Sequence, residues 1–188
     1  LPLTLDPKGV YHFNPLDGRM VGKLCEEHKV TIIAATPTFL KTYLKRCSKE
    51  QMAHMDLAIV GAEKLPQKLA EEFHEKFGVW PTEGYGTTEL SPLAAANVPD
   101  HRSNATGPGQ TGTKLGTIGR PVPNVMARIV DIDTGKELPQ GEAGLMHIRG
   151  PNVMLGYLNR PEKTAEVIQD GWYNTGDIAF VDEDGFIT

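Results

Sequence analysis

The stretch Leu57–Glu83, LAIVGAEKLPQKLAEEFHEKFGVWPTE, contains signals for a strand, a helix and a second strand in direct succession. Leu57–Val60 is a short apolar run, and Pro66 then opens a segment whose apolar residues recur at helical spacing. Gly78 is placed to end that helix, and Val79–Glu83 follows as the next strand. Two strands that are joined by a helix predict a parallel pair with a right-handed crossover.

The residues before this stretch repeat the same alternation. Asp17 can cap a helix whose apolar stripe begins at Met20, and Val30–Ala34 is a short apolar segment that favours a buried strand. Thr36 and Pro37 supply a cap and a first-turn proline for the next helix. The first half of the chain therefore predicts a parallel sheet layer with helices between its strands.

The character of the sequence changes from about Asn97. Short alternating segments separated by turn signals follow, namely Val125–Asp131, Leu145–Arg149 and Trp172–Val181. We predict an α/β chain, with a parallel β–α–β sheet layer followed by a small antiparallel β-barrel-like subdomain. The predicted domain bounds are 1–98 for the α/β part, 99–116 for a linker loop rich in Gly, Pro, Thr and Asn, and 117–188 for the mostly-β part.

The composition excludes several classes of protein. The 188 residues carry 19 Lys and Arg against 24 Asp and Glu, a formal net charge of −5, so we expect no nucleic-acid binding. No apolar stretch is long enough to span a bilayer. Two isolated cysteines, Cys25 and Cys47, fit a reducing, cytoplasmic compartment, and the scattered histidines form no metal-binding motif. The chain stops inside a predicted strand at Phe186–Thr188, so we interpret it as a fragment.

The densest polar cluster is Glu83–Glu89, EGYGTTE, just past a predicted parallel strand, where open α/β sheets bind their ligands. Its two glycines let the backbone approach a ligand, and Tyr85 offers a flat face to a base. Thr88 supplies a hydroxyl for phosphate, and Glu89 supplies a hard oxygen for Mg²⁺. The same residues also fit a structural glycine turn that is capped by Thr, with Glu in the first helical turn.

Three other segments bear on a nucleotide site. The small residues of Gly61–Pro66 would admit a flat ring, although an ordinary β-to-α loop fits equally. Asp177 ends the segment DGWYNTGD, and its carboxylate can accept hydrogen bonds from both hydroxyls of a ribose; the alternative is a turn residue after Gly176. Thr106–Lys114 lacks the GK[ST] ending of a phosphate loop and is interpreted as a linker.

In this order, the clusters resemble the motifs of the adenylate-forming superfamily, which includes acyl-CoA and acyl-carrier-protein synthetases, luciferases and peptide-synthetase adenylation domains. The matching segments are Tyr85–Glu89, Gly116–Pro121, Gly141–Leu145, Gly150–Glu166 and Trp172–Asp177. The run Pro151–Leu158, PNVMLGYL, looks most like the acyl-carrier-protein synthetase part of bacterial 2-acylglycerophosphoethanolamine acyltransferases.

The resemblance implies a ligase that uses ATP and Mg²⁺. A fatty or related carboxylic acid would attack the α-phosphate of ATP, giving an acyl-adenylate and pyrophosphate, and a thiol of CoA or of acyl-carrier protein would then take the acyl group. The residues implied for binding ATP or AMP are Gly61, Ala62, Glu63, Lys64, Glu83, Gly84, Tyr85, Gly86, Thr87 and Asp177, and the catalytic ones are Thr88 and Glu89. Tyr85 would stack on adenine, Asp177 would hold the ribose hydroxyls, and Glu89 would bind the metal.

The same resemblance implies parts that this sequence lacks. These are a phosphate loop with its Lys upstream of Leu1, and a Gly-Arg hinge with a small C-terminal domain. Residues 1–98 would be the second half of an α/β subdomain, and we expect the chain to be inactive alone. An aryl- or amino-acid-activating ligase and a non-catalytic nucleotide- or acyl-binding module are the alternatives. The resemblance also allows peripheral association of the full-length protein with the inner membrane.

Overall fold

The computed structural model describes residues 8–99 and 111–188, which fall into two compact units, one ending at Pro81 and one starting at Thr82. Most of the predicted linker, including the greater part of Thr106–Lys114, lies outside the described residues. The division of the chain at residues 98 and 117 stays a prediction. Within the part that the structure describes, no helix is both long enough and apolar enough to cross a membrane.

The first unit is built from alternating helices and strands. They are α1 (Gly18–His28), β1 (Ile32–Ala35), α2 (Pro37–Arg46), β2 (Leu57–Val60) and α3 (Gln67–Phe77). Strands β1 and β2 pair in parallel, with Ala34 opposite Ile59, and α2 lies between them in the sequence. The parallel β–α–β layer that the sequence predicts is therefore confirmed.

The residues at the helix ends explain where these helices begin or end. Asp17 accepts a hydrogen bond from the amide of Met20 at 3.1 Å, so it caps α1 as predicted. Thr36 caps α2 in the same way, by accepting a hydrogen bond from the amide of Phe39 at 3.4 Å. Gly78 follows α3 in the left-handed conformation, at a φ of 77°, which a residue without a Cβ adopts at little cost.

The core of the first unit gathers the apolar faces of its helices. The apolar residues that recur at helical spacing in α3 are all buried, namely Leu69, Ala70, Phe73 and Phe77. The rings of Phe73 and Phe77 pack edge to face with their centroids 4.8 Å apart. In α1 the predicted stripe is partly wrong, because Met20 is 39% exposed. The buried residues of α1 are Gly18, Gly22 and Cys25.

The second unit is mostly antiparallel sheet. Its elements are β3 (Pro81–Tyr85), β4 (Ala95–Ala96), β5 (Arg120–Pro121), β6 (Met126–Val130), β7 (Gly144–Arg149), α4 (Pro161–Val167), β8 (Ile168–Gln169) and β9 (Trp172–Ala179). Strands β3, β4 and β5 pair antiparallel in that order, and β6, β7, β9 and β8 form a curled four-stranded antiparallel sheet. This sheet is the predicted β-barrel-like part of the chain.

Two boundaries in this unit differ from the sequence prediction. Strand β3 starts at Pro81, two residues later than predicted. The sequence also predicts a short helix that begins near Pro161 with Ala165 and Ile168 facing inward. Helix α4 instead ends before Ile168, which pairs with Tyr173 in a hairpin. The hairpin turn is formed by Asp170 and Gly171, both at positive φ (52° and 77°), as in the tight turns that match the twist of two strands.

We expect Phe73→Ala to lower the free energy of unfolding of the first unit by about 3–5 kcal/mol, because it removes a fully buried ring from the core. Phe13→Ala is the matched control, since Phe13 is 95% exposed, and it should change this free energy by less than about 0.5 kcal/mol. Denaturant unfolding followed by helical circular dichroism measures both. Equal effects of the two substitutions would contradict the assignment of Phe73 to the core.

Candidate functional site

The polar cluster Glu83–Glu89 begins in β3 and continues into a short 3₁₀ turn, Thr88–Leu90. Glu83 is buried, whereas the side chain of Thr88 is exposed to solvent. Tyr85 pairs with Ala95 of β4, so the end of the strand is held by its antiparallel neighbour. The cluster therefore extends from a paired strand into an exposed turn.

The glycine at position 86 is required by the chain itself. A Cβ at Gly86 would lie 1.6 Å from the carbonyl oxygen of Pro92 and 2.9 Å from the Cα of Leu93. The sequence predicts that this glycine allows a ligand to approach, but the backbone that comes closest belongs to the same chain. At Gly84 a Cβ would find its nearest neighbour at 3.3 Å, on the side chain of Leu93, and a close ligand approach there stays a prediction.

Strand β9 carries a bulge at the position of Asp177. The flanking cross-strand pairs are Leu145 with Ile178 and His147 with Asn174. A single residue of β7, Met146, therefore lies opposite three residues of β9, Thr175–Asp177. The Thr175 hydroxyl donates to the carbonyl of Met146 at 2.8 Å and accepts from the amide of Asp177 at 3.1 Å. The Asp177 side chain is left exposed to solvent.

Tyr85 and Asp177, two residues predicted to bind one nucleotide, meet in the structure. The Tyr85 hydroxyl donates a hydrogen bond to the Asp177 carboxylate, although the two residues are 92 positions apart in the sequence. Burial of the ring raises the pKa of Tyr85 above its usual range, and the hydrogen bond to Asp177 raises it further. Tyr85 is therefore a neutral phenol that can donate this hydrogen bond.

Glu89 is bound by a loop from another part of the second unit. The hydroxyl of Tyr157 donates to Glu89 Oε1 at 2.7 Å, and the amide of Met154 donates to the Glu89 carbonyl at 2.8 Å. The hydrogen bond from Tyr157 lowers the pKa of Glu89 below its usual range. The same bond raises the pKa of Tyr157 to about 12. At neutral pH the pair is therefore a carboxylate and a neutral phenol.

A third tyrosine and a half-buried threonine, Thr87, lie beside the two carboxylates. Burial raises the pKa of Tyr173, and the negative charges of Glu89 and Asp177 raise it further. The Thr87 hydroxyl lies near Tyr173 and Glu89 and lowers the pKa of both, although its buried oxygen forms no hydrogen bond of good geometry among the described residues.

The charge of this cluster is negative. Over residues 8–99 and 111–188, neither Glu89 nor Asp177 forms a salt bridge with a Lys, Arg or His. The described part of the chain also contains no group of three His, Cys, Asp or Glu side chains that could hold a metal ion by itself. Carboxylates without a cationic partner can bind a divalent cation together with oxygens from a ligand.

The loop Gly61–Lys64 belongs to the first unit and follows β2. Ala62 has a φ of 67°, which is uncommon for a residue with a Cβ. The carboxylate of Glu63 accepts a hydrogen bond from the Thr38 hydroxyl at 2.9 Å, so one of its hydrogen-bond acceptor sites is occupied within the first unit. The role of this loop beside an adenine ring stays a prediction.

Sequence reasoning missed three residues that support the cluster. Tyr157 lies within the run PNVMLGYL and Thr175 within DGWYNTGD, so both stand in segments quoted for the family resemblance. Neither motif indicates which side chain each would contact. Asn97 is buried; its amide donates to the Glu83 carbonyl at 2.9 Å and its side chain to the Thr117 carbonyl at 2.7 Å. No pattern in the sequence marks Asn97.

Comparison with known proteins gives a consistent family. Residues 8–158 match the family model described as AMP-binding enzyme. The long-chain-fatty-acid–CoA ligase of Salmonella typhimurium is 36% identical over 176 residues, which cover 93% of this chain and 29% of that protein. The chain thus spans less than a third of the length of the curated relatives that it matches first.

Solved structures agree with the sequence matches. The crystal structure of ATP-bound MatB from Rhodopseudomonas palustris is 34% identical, with a TM-score of 0.78, and the match covers 91% of this chain and 32% of that chain. The O-succinylbenzoate coenzyme A synthetase of Bacillus subtilis, solved in complex with AMP, is 29% identical, with a TM-score of 0.74. That match covers 91% of this chain and 33% of the synthetase.

We expect Thr175→Val to destabilise the bulge, because it leaves the Met146 carbonyl and the Asp177 amide without their present partner. The free energy of unfolding should fall by about 1–3 kcal/mol, and exchange of the Asp177 amide hydrogen should accelerate. Thr175→Ser keeps the hydroxyl and serves as the control. Hydrogen exchange read by NMR measures the effect, and unchanged protection of Asp177 in Thr175→Val would contradict this account of the bulge.

Proposed function

Because the chain belongs to the AMP-binding enzyme family, we propose that it is part of an ATP-dependent ligase that activates a fatty acid. The acid's carboxylate attacks the α-phosphate of ATP, a new C(O)–O–P linkage forms, and pyrophosphate leaves. A thiol then displaces AMP from the acyl-adenylate and gives a thioester. The relatives named as long-chain-fatty-acid–CoA ligases support both the fatty acid and the ligase.

Two molecules are candidates for the thiol that accepts the acyl group, CoA and acyl-carrier protein. The names of the relatives favour CoA. Acyl-carrier protein is favoured only by the resemblance of Pro151–Leu158 to an acyl-carrier-protein synthetase. Peripheral membrane association of the whole protein likewise stands on the resemblance alone. We therefore propose CoA as the first acceptor to test.

The contact between Tyr85 and Asp177 is the observation that best supports a nucleotide site. A neutral, half-buried aromatic ring and an exposed carboxylate lie within one hydrogen bond of each other. Adenine and ribose are adjacent in AMP and need these two surfaces, a flat face for the base and a pair of acceptors for the hydroxyls. We assign the ring of Tyr85 to adenine and the carboxylate of Asp177 to ribose.

The residues around Glu89 fit the phosphate end of the same nucleotide. Glu89 offers a hard oxygen ligand that is ionised at neutral pH, and the exposed residue Thr88 lies beside it in the same turn. Magnesium, when bound, neutralises negative charge on the phosphates and so lowers the repulsion that an incoming carboxylate meets. We assign Glu89 to the metal, Thr88 to phosphate, and Thr87, which lies beside Glu89, to the nucleotide.

We expect the full chain to bind a long-chain acyl-sulfamoyl-adenosine, a stable mimic of the acyl-adenylate, more tightly than AMP. Asp177→Asn should weaken both ligands about tenfold or more, because it removes a charged acceptor from two ribose hydroxyls. Asp170→Asn, in the exposed turn before β9, is the matched control and should leave both dissociation constants unchanged. Calorimetric titration measures them, and equal effects of the two substitutions would exclude the ribose role.

Tyr85 allows its ring and its hydroxyl to be tested separately. Tyr85→Ala should weaken AMP binding about fivefold to a hundredfold, because it removes the stacking surface. Tyr85→Phe keeps the ring and removes only the hydrogen bond to Asp177, so AMP affinity should stay within about threefold of the original. The same titration serves for both. If Tyr85→Phe weakened AMP as much as Tyr85→Ala, stacking would not be the contribution of this residue.

A further inference from the structure

The loop Gly150–Arg160, which connects β7 to α4, binds Glu89 at both its backbone and its side chain. The Met154 amide donates to the Glu89 carbonyl at 2.8 Å, and the Tyr157 hydroxyl donates to Glu89 Oε1 at 2.7 Å. We propose that Tyr157 is a positioning residue, which fixes the orientation of the Glu89 carboxylate toward the divalent cation of a bound metal–nucleotide complex. This inference rests on the metal role given to Glu89 in the proposed function.

The backbone of Tyr157 is itself anchored to α4. Its amide donates to the hydroxyl of Thr164 at 2.9 Å, and that hydroxyl donates to the carbonyl of Arg160 at 3.0 Å. The preceding residue, Gly156, has a φ of 149°, and a Cβ there would lie 2.9 Å from the Thr164 side chain. The tight approach of Gly156 to Thr164 brings the Tyr157 amide within reach of the hydroxyl, so this part of the loop is fixed against the helix.

A second attachment holds the other end of the loop. The side-chain amide of Asn152 donates to the carbonyl of Leu93 at 2.9 Å, just beyond the turn that carries Glu89. The loop is thus bound on both sides of Tyr157, to the β3 region and to α4. A phenol held in this way restricts a flexible glutamate side chain that would otherwise sample several rotamers.

A neutral donor suits this task better than a cation would. Tyr157 occupies Glu89 Oε1 with a hydrogen bond but adds no positive charge, so the carboxylate keeps its attraction for a metal ion. Hydrogen bonds to a ligating carboxylate orient it, and their loss typically lowers metal affinity about 10- to 100-fold. The expected effect of removing the Tyr157 hydroxyl is therefore on the metal-dependent part of nucleotide binding.

The test compares how much Mg²⁺ improves the binding of ATP to the full chain, as the ratio of the dissociation constants in EDTA and in Mg²⁺. Tyr157→Phe should reduce this ratio about tenfold relative to the original protein, while the dissociation constant for AMP in EDTA stays within twofold. Tyr11→Phe is the matched control, since Tyr11 is 80% exposed, and it should leave both quantities unchanged. Electron paramagnetic resonance of Mn²⁺ with ATP gives a second, spectroscopic measure of metal binding.

Further variants separate this inference from the proposed function. If Mg²⁺ gave no improvement in the original protein, or if Glu89→Gln kept it, the metal role of Glu89 would fail and the inference with it. If Glu89→Gln lost the improvement while Tyr157→Phe and Thr164→Val both kept it, only the positioning role would be overturned. A loss of AMP binding in EDTA equal to the loss for ATP with Mg²⁺ would also overturn it, since Tyr157 would then be structural.

The double variant completes the test. If Tyr157 acts through Glu89, Glu89→Gln with Tyr157→Phe should behave as Glu89→Gln alone, because the second change has nothing left to position. Additive losses would mean that Tyr157 contributes independently of Glu89 and would overturn the proposal. Thermal unfolding of each variant shows whether it is folded, and Thr164→Ser, which keeps the anchoring hydroxyl, should retain the full improvement.

Discussion

The bulge in β9 is the constraint on which the arrangement of the candidate site depends. In a regular strand, Asp177 would share the inward face with Tyr173 and Ala179, both of which are buried, and burying a lone carboxylate there would be costly. The bulge places three residues of β9 opposite Met146, where a regular strand would have one. The two extra residues interrupt the alternation of side chains, which resumes with Ala179 facing inward. The Asp177 side chain is therefore exposed to solvent instead of buried in the core, and it accepts a hydrogen bond from the Tyr85 hydroxyl.

The polar partners of the two carboxylates explain why the cluster suits a cationic or polyhydroxy ligand. Glu89 and Asp177 each accept a hydrogen bond from a tyrosine, and Tyr173 lies near both. A tyrosine orients a carboxylate and leaves its negative charge in place, whereas an arginine would neutralise it. The cluster therefore keeps the negative charge and the hydrogen-bond acceptors that the proposed metal ion and ribose hydroxyls would require.

Local signals made much of the fold predictable, and long-range contacts explain what was not. Asp17, Thr36 and Gly78 act within one turn of a helix, so the sequence alone located three helix ends. The partners of Glu89 and Asp177 lie 68 and 92 positions away, and no local pattern indicates such a pair. The outward position of Asp177 depends on the register of β9 against β7, which a one-strand pattern does not contain.

The segment EGYGTTE fits a glycine turn and a ligand site equally well when it is considered alone, and its contacts explain why the two descriptions are compatible. Gly86 is needed by the backbone of Pro92, so the turn is structural. The polar atoms of Tyr85 and Glu89 are instead oriented by residues from the β7–β9 part of the unit. The turn can therefore be structural and also, as proposed, part of a nucleotide site, because the first role depends on the backbone at Gly86 and the second on the side chains of Tyr85 and Glu89.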